Sequence, residues 1–255
     1  MKPLEIKHRV IGGGEPLICV PVVEQDAQSV IREITYLSQS TAEMIEWRVD
    51  AFRDFTDYNA IRSVFEAVAP LLGEKLFLYT FRTAHQGGMA QVKAEQLDDL
   101  HDLAAESGCV DLVDLEFFEE DRPLHKIKRL REMGVSVIAS HHDFEQTPSP
   151  EVMKMLLEKM CAGGADIVKL AVMPQNYKDV LNLLDVTAQF REENPDTPVI
   201  TMSMGSLGGI SRISGETFGS CVTFGAHEKP SAPGQFAMKE LRQMLDTIHA
   251  SSRIQ

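Results

Sequence analysis

Cysteine is scarce in this chain: Cys19, Cys109, Cys161 and Cys221 are the only four in 255 residues, far apart and with no C-x-x-C pair. That spacing excludes a disulfide-stapled scaffold and a thiolate metal knuckle, and reads as reduced thiols. A basic surplus is also missing. The formal charge of -13 argues against a surface built for nucleic acid or acidic membrane; against it, any cationic pocket would be a local feature suited to a small anion. No apolar run approaches the length of a membrane span, and the opening stretch MKPLEIKHRVIGGGEP lacks the apolar core of a signal peptide. The expected compartment is the cytoplasm. Low-complexity tracts, composition shifts and linkers are absent too, so residues 1–255 are expected to form one domain.

What the sequence does hold is an alternation. With 44% hydrophobic and 25% charged residues it has the composition of an ordinary globular protein. Strand-like runs at 17–23, 44–49, 76–81, 111–116, 135–140, 165–173, 198–202 and 221–224 are each followed by helical spacing. The helices are expected at 26–37, 58–72, 92–107, 123–133, 150–161, 177–193, 210–215 and 235–249. Residues 4–10, before three glycines, suggest a short hairpin or an N-terminal lid. Strand–helix alternation argues for a parallel sheet, and about eight such units in a chain of this size fit a closed (β/α)8 barrel. A doubly wound open sheet is the alternative. The missing G-x-G-x-x-G turn after the first strand weakens it.

A barrel gathers its chemistry at the C-terminal ends of its strands. There the polar residues collect. Glu46, Arg48 and Asp50 share one face of the second strand by the two-residue period. Arg82 ends the third, Asp114 and Glu116 share a face of the fourth, and His141-His142-Asp143 end the fifth. Met202 and Met204 close the seventh. Lys169 lies within the apolar run of the sixth, where an amine is costly to bury unless paired or neutral. It is open to two readings: a structural ion pair, or a nucleophile that forms a Schiff base. Glu46 and Arg48 are equally open to being an interior ion pair, and Asp114 and Glu116 to neutralising the cations. Adjacent histidines on a strand point to opposite faces and make a poor chelate, so no metal is expected. The glycine-rich turn at 205–209 is a weak phosphate signal.

Taken in order, EWRVD (46–50), TFRT (80–83), DLE (114–116), SHHDF (140–144), GADIVK (164–169), TMSMG (201–205), ISR (210–212) and SAPGQ (231–235) resemble the type I 3-dehydroquinate dehydratases. The resemblance runs from the second strand to the final helix. It implies a (β/α)8 barrel, dimeric in bacteria, that converts 3-dehydroquinate to 3-dehydroshikimate with no metal or organic cofactor. It implies Lys169 as the imine-forming amine and His142 as the base. Arg212 and Arg82 would hold the substrate carboxylate, and Glu46, Arg48, Ser231 and Gln235 its hydroxyls, the last two from a mobile loop at 225–234. Met202 joins the substrate-binding set, and Asp114 and Gln86 would modulate the two catalytic groups. Gln86 departs from the family, which has a glutamate there as the partner of the histidine. A class I aldolase, with phosphate on the glycine turn, and a weakly active metabolite-binding barrel are the competing expectations.

Overall fold

A computed structural model describes residues 4–252. It opens on strands β1 (Leu4–Ile6) and β2 (Arg9–Ile11), which pair antiparallel. Lys7 and His8 turn between them at φ 47° and 64°, the left-handed backbone that a two-residue hairpin turn requires. Then follow β3 (Leu17–Val22), α1 (Ala27–Ser38), β4 (Met44–Arg48), α2 (Tyr58–Leu72), β5 (Leu76–Thr80) and α3 (Ala94–Glu106). Next come β6 (Leu112–Glu116), α4 (Pro123–Glu132), β7 (Ser136–Asp143), α5 (Pro150–Ala162), β8 (Ile167–Val172) and α6 (Tyr177–Glu193). The chain ends with β9 (Val199–Ser203), α7 (Gly209–Ile213), α8 (Gly215–Phe218), β10 (Val222–Phe224) and α9 (Met238–Ser252). Asp26, Asp57, Ser149 and Asn176 cap four of the helices by accepting backbone N–H groups of the first turn.

Eight parallel strands hydrogen-bond in the order β10-β3-β4-β5-β6-β7-β8-β9. A parallel bridge between Val199 of β9 and Ser220, just ahead of β10, brings the sheet nearly round on itself. The result is a (β/α)8 barrel. The hairpin is attached at the N-terminal mouth, where the Lys7 ammonium pairs with Asp111 at 2.7 Å and Arg9 donates to the carbonyl of Glu74 at 3.2 Å. It is therefore no lid over the C-terminal ends of the strands, which lie at the opposite mouth.

Alternation decides which residues reach the barrel axis. Outward side chains such as Trp47, Tyr79, Val113, Leu115, Val168 and Leu170 are buried against the helices. Inward Cys19, Met44, Leu78, Leu112, Ile138 and Ile167 form a separate apolar cluster inside the barrel. Above that cluster the inward positions turn polar, and the site begins. Several predicted boundaries differ. Strand β7 runs on to Asp143 where the strand is expected to end at 140. The helix expected at 210–215 is broken at Ser214 into α7 and α8. The helix expected from 235 starts at Met238, because Ala226 and Ala237 form a bridge that closes the intervening segment into a loop.

Candidate active site

Strand register stacks the inward polar residues into a layer. Arg48 pairs with Thr80, Thr80 with Asp114, Glu116 with Ser140, and Ser140 with Lys169. All are buried, Lys169 and Asp114 at 3% and 1% exposure. Burying so many charges is tolerable only if each has a partner. Asp114 Oδ2 accepts from Lys169 Nζ at 2.9 Å, while its Oδ1 meets Arg82 Nη2 at 2.8 Å and accepts from Ser140 Oγ at 2.6 Å. The other guanidinium nitrogen of Arg82 donates to Glu116 Oε1 at 3.0 Å and to Ser140 Oγ at 3.1 Å. Thr80 Oγ1 donates to Glu46 Oε1 at 2.8 Å. The ring of Phe224 lies 4.6 Å from Lys169 Nζ, its face toward the cation.

Burial alone would raise the Asp114 carboxyl, but the charges of Arg82 and Lys169 outweigh it and hold the group well below the usual range. Burial in turn pushes the His142 imidazole well below its ordinary value, reinforced by the cations Arg82 and Lys169. His142 is thus neutral near pH 7. Its backbone N–H donates to Gln86 Oε1 at 2.9 Å, and the same oxygen lies 3.1 Å from its Nδ1. An amide oxygen only accepts, so Nδ1 carries the proton and Nε2 keeps the free lone pair. His141, the next residue along β7, faces away and meets Phe118 edge-on at 5.3 Å.

Loops complete the walls. Gln86 ends a single 3-10 turn (Ala84–Gln86), whose start is fixed by Glu116, which accepts from the Thr83 N–H at 2.9 Å and its hydroxyl at 2.7 Å. Across the mouth, Gln235 accepts from the Ser231 N–H at 2.8 Å and returns a hydrogen bond to its hydroxyl at 3.0 Å. The carbonyl of Pro233 in this loop accepts from the Gly205 N–H at 3.2 Å and from Arg212 Nη2 at 2.9 Å. Arg212 is buried at 2% exposure, its Nε has no partner, and burial lowers its pKa to about 10. Among the described residues no carboxylate pairs with it.

The cleft between these walls holds about 460 Å³ of empty space, part of it open to solvent. On one wall it joins an amine, a neutral imidazole and guanidinium groups, a set suited to carbonyl chemistry on a small anion. Residues 18–252 match the type I 3-dehydroquinase family. The chain belongs to that family. It is 41% identical over 250 residues to the 3-dehydroquinate dehydratase of Syntrophotalea carbinolica, covering 98% of this chain and 99% of that one. The Listeria innocua 3-dehydroquinate dehydratase is equally similar, 41% identical with the same coverage. Among solved structures, the type I 3-dehydroquinate dehydratase of Clostridium difficile with covalently modified comenic acid superposes with a TM-score of 0.94 at 38% identity, over 98% of this chain and 99% of that one. The Geobacillus kaustophilus 3-dehydroquinate dehydratase gives 0.95 at 35% identity, over 99% and 98%.

In this type I 3-dehydroquinase, Glu46, Arg48, Arg82, Gln86, His142, Lys169, Met202, Ser231 and Gln235 all line the cleft. Asp114 lies beneath Lys169 and not on the surface. Arg212 also stands back from the wall, turned toward the carbonyls of Pro233 and Phe224. Sequence reasoning passed over Thr80, Ser140 and Phe224, although continuing the inward count along β5, β7 and β10 reaches all three. Asp50, expected on the face of the second strand, falls in the turn just beyond β4. The turn at 205–209 owes Gly208 to packing, since a Cβ there would lie 1.9 Å from the carbonyl oxygen of Ser203.

Proposed function

We propose that the protein dehydrates 3-dehydroquinate to 3-dehydroshikimate through a Schiff base on Lys169. The observation that carries this is one buried amine, held by Asp114 at 2.9 Å, in the same cleft as a neutral imidazole. Once relieved of its proton, Lys169 attacks the ketone at C3, and loss of water gives an iminium. That cation acidifies the C2 proton, so a neutral imidazole suffices as base. His142 Nε2 takes the proton; the electrons move through the enamine to expel the C1 hydroxyl, which leaves as water with the proton from His142. Hydrolysis of the product imine restores the amine. Asp114 stays ionised beside the iminium, and the Phe224 face adds a second stabilising contact.

Arg212 and Arg82 suit the substrate carboxylate, for a guanidinium fork matches its two oxygens. Glu46, Arg48, Ser231 and Gln235 are placed to bind hydroxyls, with Met202 as an apolar wall. The lid sheds water from the imine. The same reading takes the protein to be a cytoplasmic homodimer; among the described residues no helix is long and apolar enough to cross a membrane. Adding 3-dehydroquinate and following the ultraviolet absorbance of the conjugated product tests the reaction. A rise in absorbance is expected, and a silent trace at high enzyme concentration would overturn the assignment.

A further inference from the structure

Asp50 takes no part in the steps above, yet each of its oxygens accepts two hydrogen bonds. It sits in the 3-10 turn (Val49–Ala51) that follows β4, at 3% exposure. Oδ1 accepts from Arg48 Nε at 2.8 Å and from the Arg82 N–H at 3.2 Å. Oδ2 accepts from Arg48 Nη2 at 2.8 Å and from the Met89 N–H at 3.0 Å. Burial opposes the charge, but the Arg48 guanidinium and the two amides outweigh it and hold the carboxyl below its ordinary value.

The choice of partners distinguishes this from an ion pair that merely holds the fold. The fork on Arg48 occupies Nε and Nη2 and leaves Nη1 out of the pair, so it fixes which edge of the guanidinium meets the cleft. The two amides bracket the loop that carries Gln86, one at its start and one at its end. That loop has little slack. A Cβ on Gly87 would lie 2.4 Å from the Phe144 ring, and one on Gly88 would lie 1.9 Å from the Arg82 carbonyl oxygen. Moving the anchor therefore moves Gln86 Oε1, which touches His142 at both its N–H and its Nδ1.

We propose that Asp50 is a positioning residue that couples the cleft-facing edge of Arg48 to the loop bearing Gln86, so that one carboxylate sets a ligand contact and the hydrogen bond on His142 together. The proposal rests on the reading of Lys169 and His142 as the reacting centre. The charged groups around His142 are Arg82, Lys169, Asp114 and Arg48, and the ring of Phe144 lies 6.5 Å from its own. None of these is removed by changing Asp50.

The test compares the wild type, Asp50→Asn and Met89→Pro by steady-state turnover of 3-dehydroquinate across pH. It also records the nitrogen chemical shifts of the His142 ring in the free enzyme, which need no turnover. Asp50→Asn loses the charge and one pair of accepting sites; its KM should rise about tenfold, the cost of one weakened charge-assisted contact. Its His142 shifts should move, and the acid limb of the kcat profile with them. Met89→Pro deletes one loop anchor and leaves the Arg48 fork intact, so His142 should move while KM stays within about twofold. If Asp50→Asn leaves KM, the acid limb and the His142 shifts as in the wild type, lowering only the melting temperature, Asp50 is structural and the proposal fails. Should the wild type itself not turn over 3-dehydroquinate, the functional reading falls, while the ring shifts of the two variants still decide whether Asp50 acts on His142.

Discussion

An amide beside an imidazole does half of what a carboxylate does there. Gln86 Oε1 fixes the tautomer of His142, but it brings no charge to stabilise the imidazolium that forms when the ring takes a proton. The neighbouring carboxylates do not make up the loss: Asp143 Oδ1 is engaged by the amides of Glu145 and Gln146, and Asp114 is shared among Lys169, Arg82 and Ser140. A unit charge about 4 Å away at an effective dielectric near 20 contributes roughly 4 kcal/mol before relaxation. A quarter of that moves the ring by about 0.7 pKa unit. Gln86→Glu is therefore expected to shift the acid limb of the rate profile upward by about that amount. It should also lower the covalent adduct present during turnover, because hydroxyl departure and imine hydrolysis need the imidazolium. Stopped-flow quenching with mass detection checks both. A variant with the wild-type limb and adduct level would make Gln86 a bystander. Position 86 was legible only through family resemblance, since nothing in the run RTAHQGG (82–88) assigns a glutamine to a histidine 56 positions away.

At the scale of elements, the strands were legible because alternation writes both faces of the barrel into the sequence. Lys169 looked like an amine in an unbroken apolar run; its neighbours Val168 and Leu170 point outward to the helices, so the run is two separate faces. The loops were less legible, because their conformation is set by contacts distant in sequence. The lid was expected to run into a helix at 235, yet Gln235 turns back onto Ser231, and Pro233 docks on Gly205 and Arg212. Arg212 on α7 thus ties the 231–235 loop to the barrel, and among the described residues it is a buried cation without a carboxylate. Arg212→Ala should weaken affinity for the product at least about tenfold, as loss of a charge-assisted contact of roughly 1.5 to 3 kcal/mol requires. Thermal stability should change little, because the guanidinium is buried without an ionic partner. Calorimetric titration and a melting curve separate the outcomes; unchanged affinity with a large fall in melting temperature would make Arg212 structural.

For the molecule as a whole, the eight-unit count predicted the barrel, and barrel geometry then placed nearly every candidate residue at one mouth. What the count did not reveal is the cost of the outer core, where His101 on α3 is 3% exposed with neither ring nitrogen partnered. Burial, with Lys126 nearby, lowers its pKa to about 4. Below about 6.5 the unfolded chain takes up a proton that the folded chain refuses, so stability falls as pH drops from there toward 4 and is full above it. His142 adds to the same slope. His101→Leu should flatten it, stabilising the fold more at pH 5 than at pH 8 in urea titrations; an equal gain at both would show that the ring is not the linked group. The central claim, a covalent Lys169, is tested most directly by the mass of the intact protein. Borohydride added with 3-dehydroquinate should attach one reduced ligand per chain, mapped by peptide mass to Lys169 and absent from Lys169→Met. Labelling at Lys178 or Lys229 instead, or no gain in mass at all, would contradict the account.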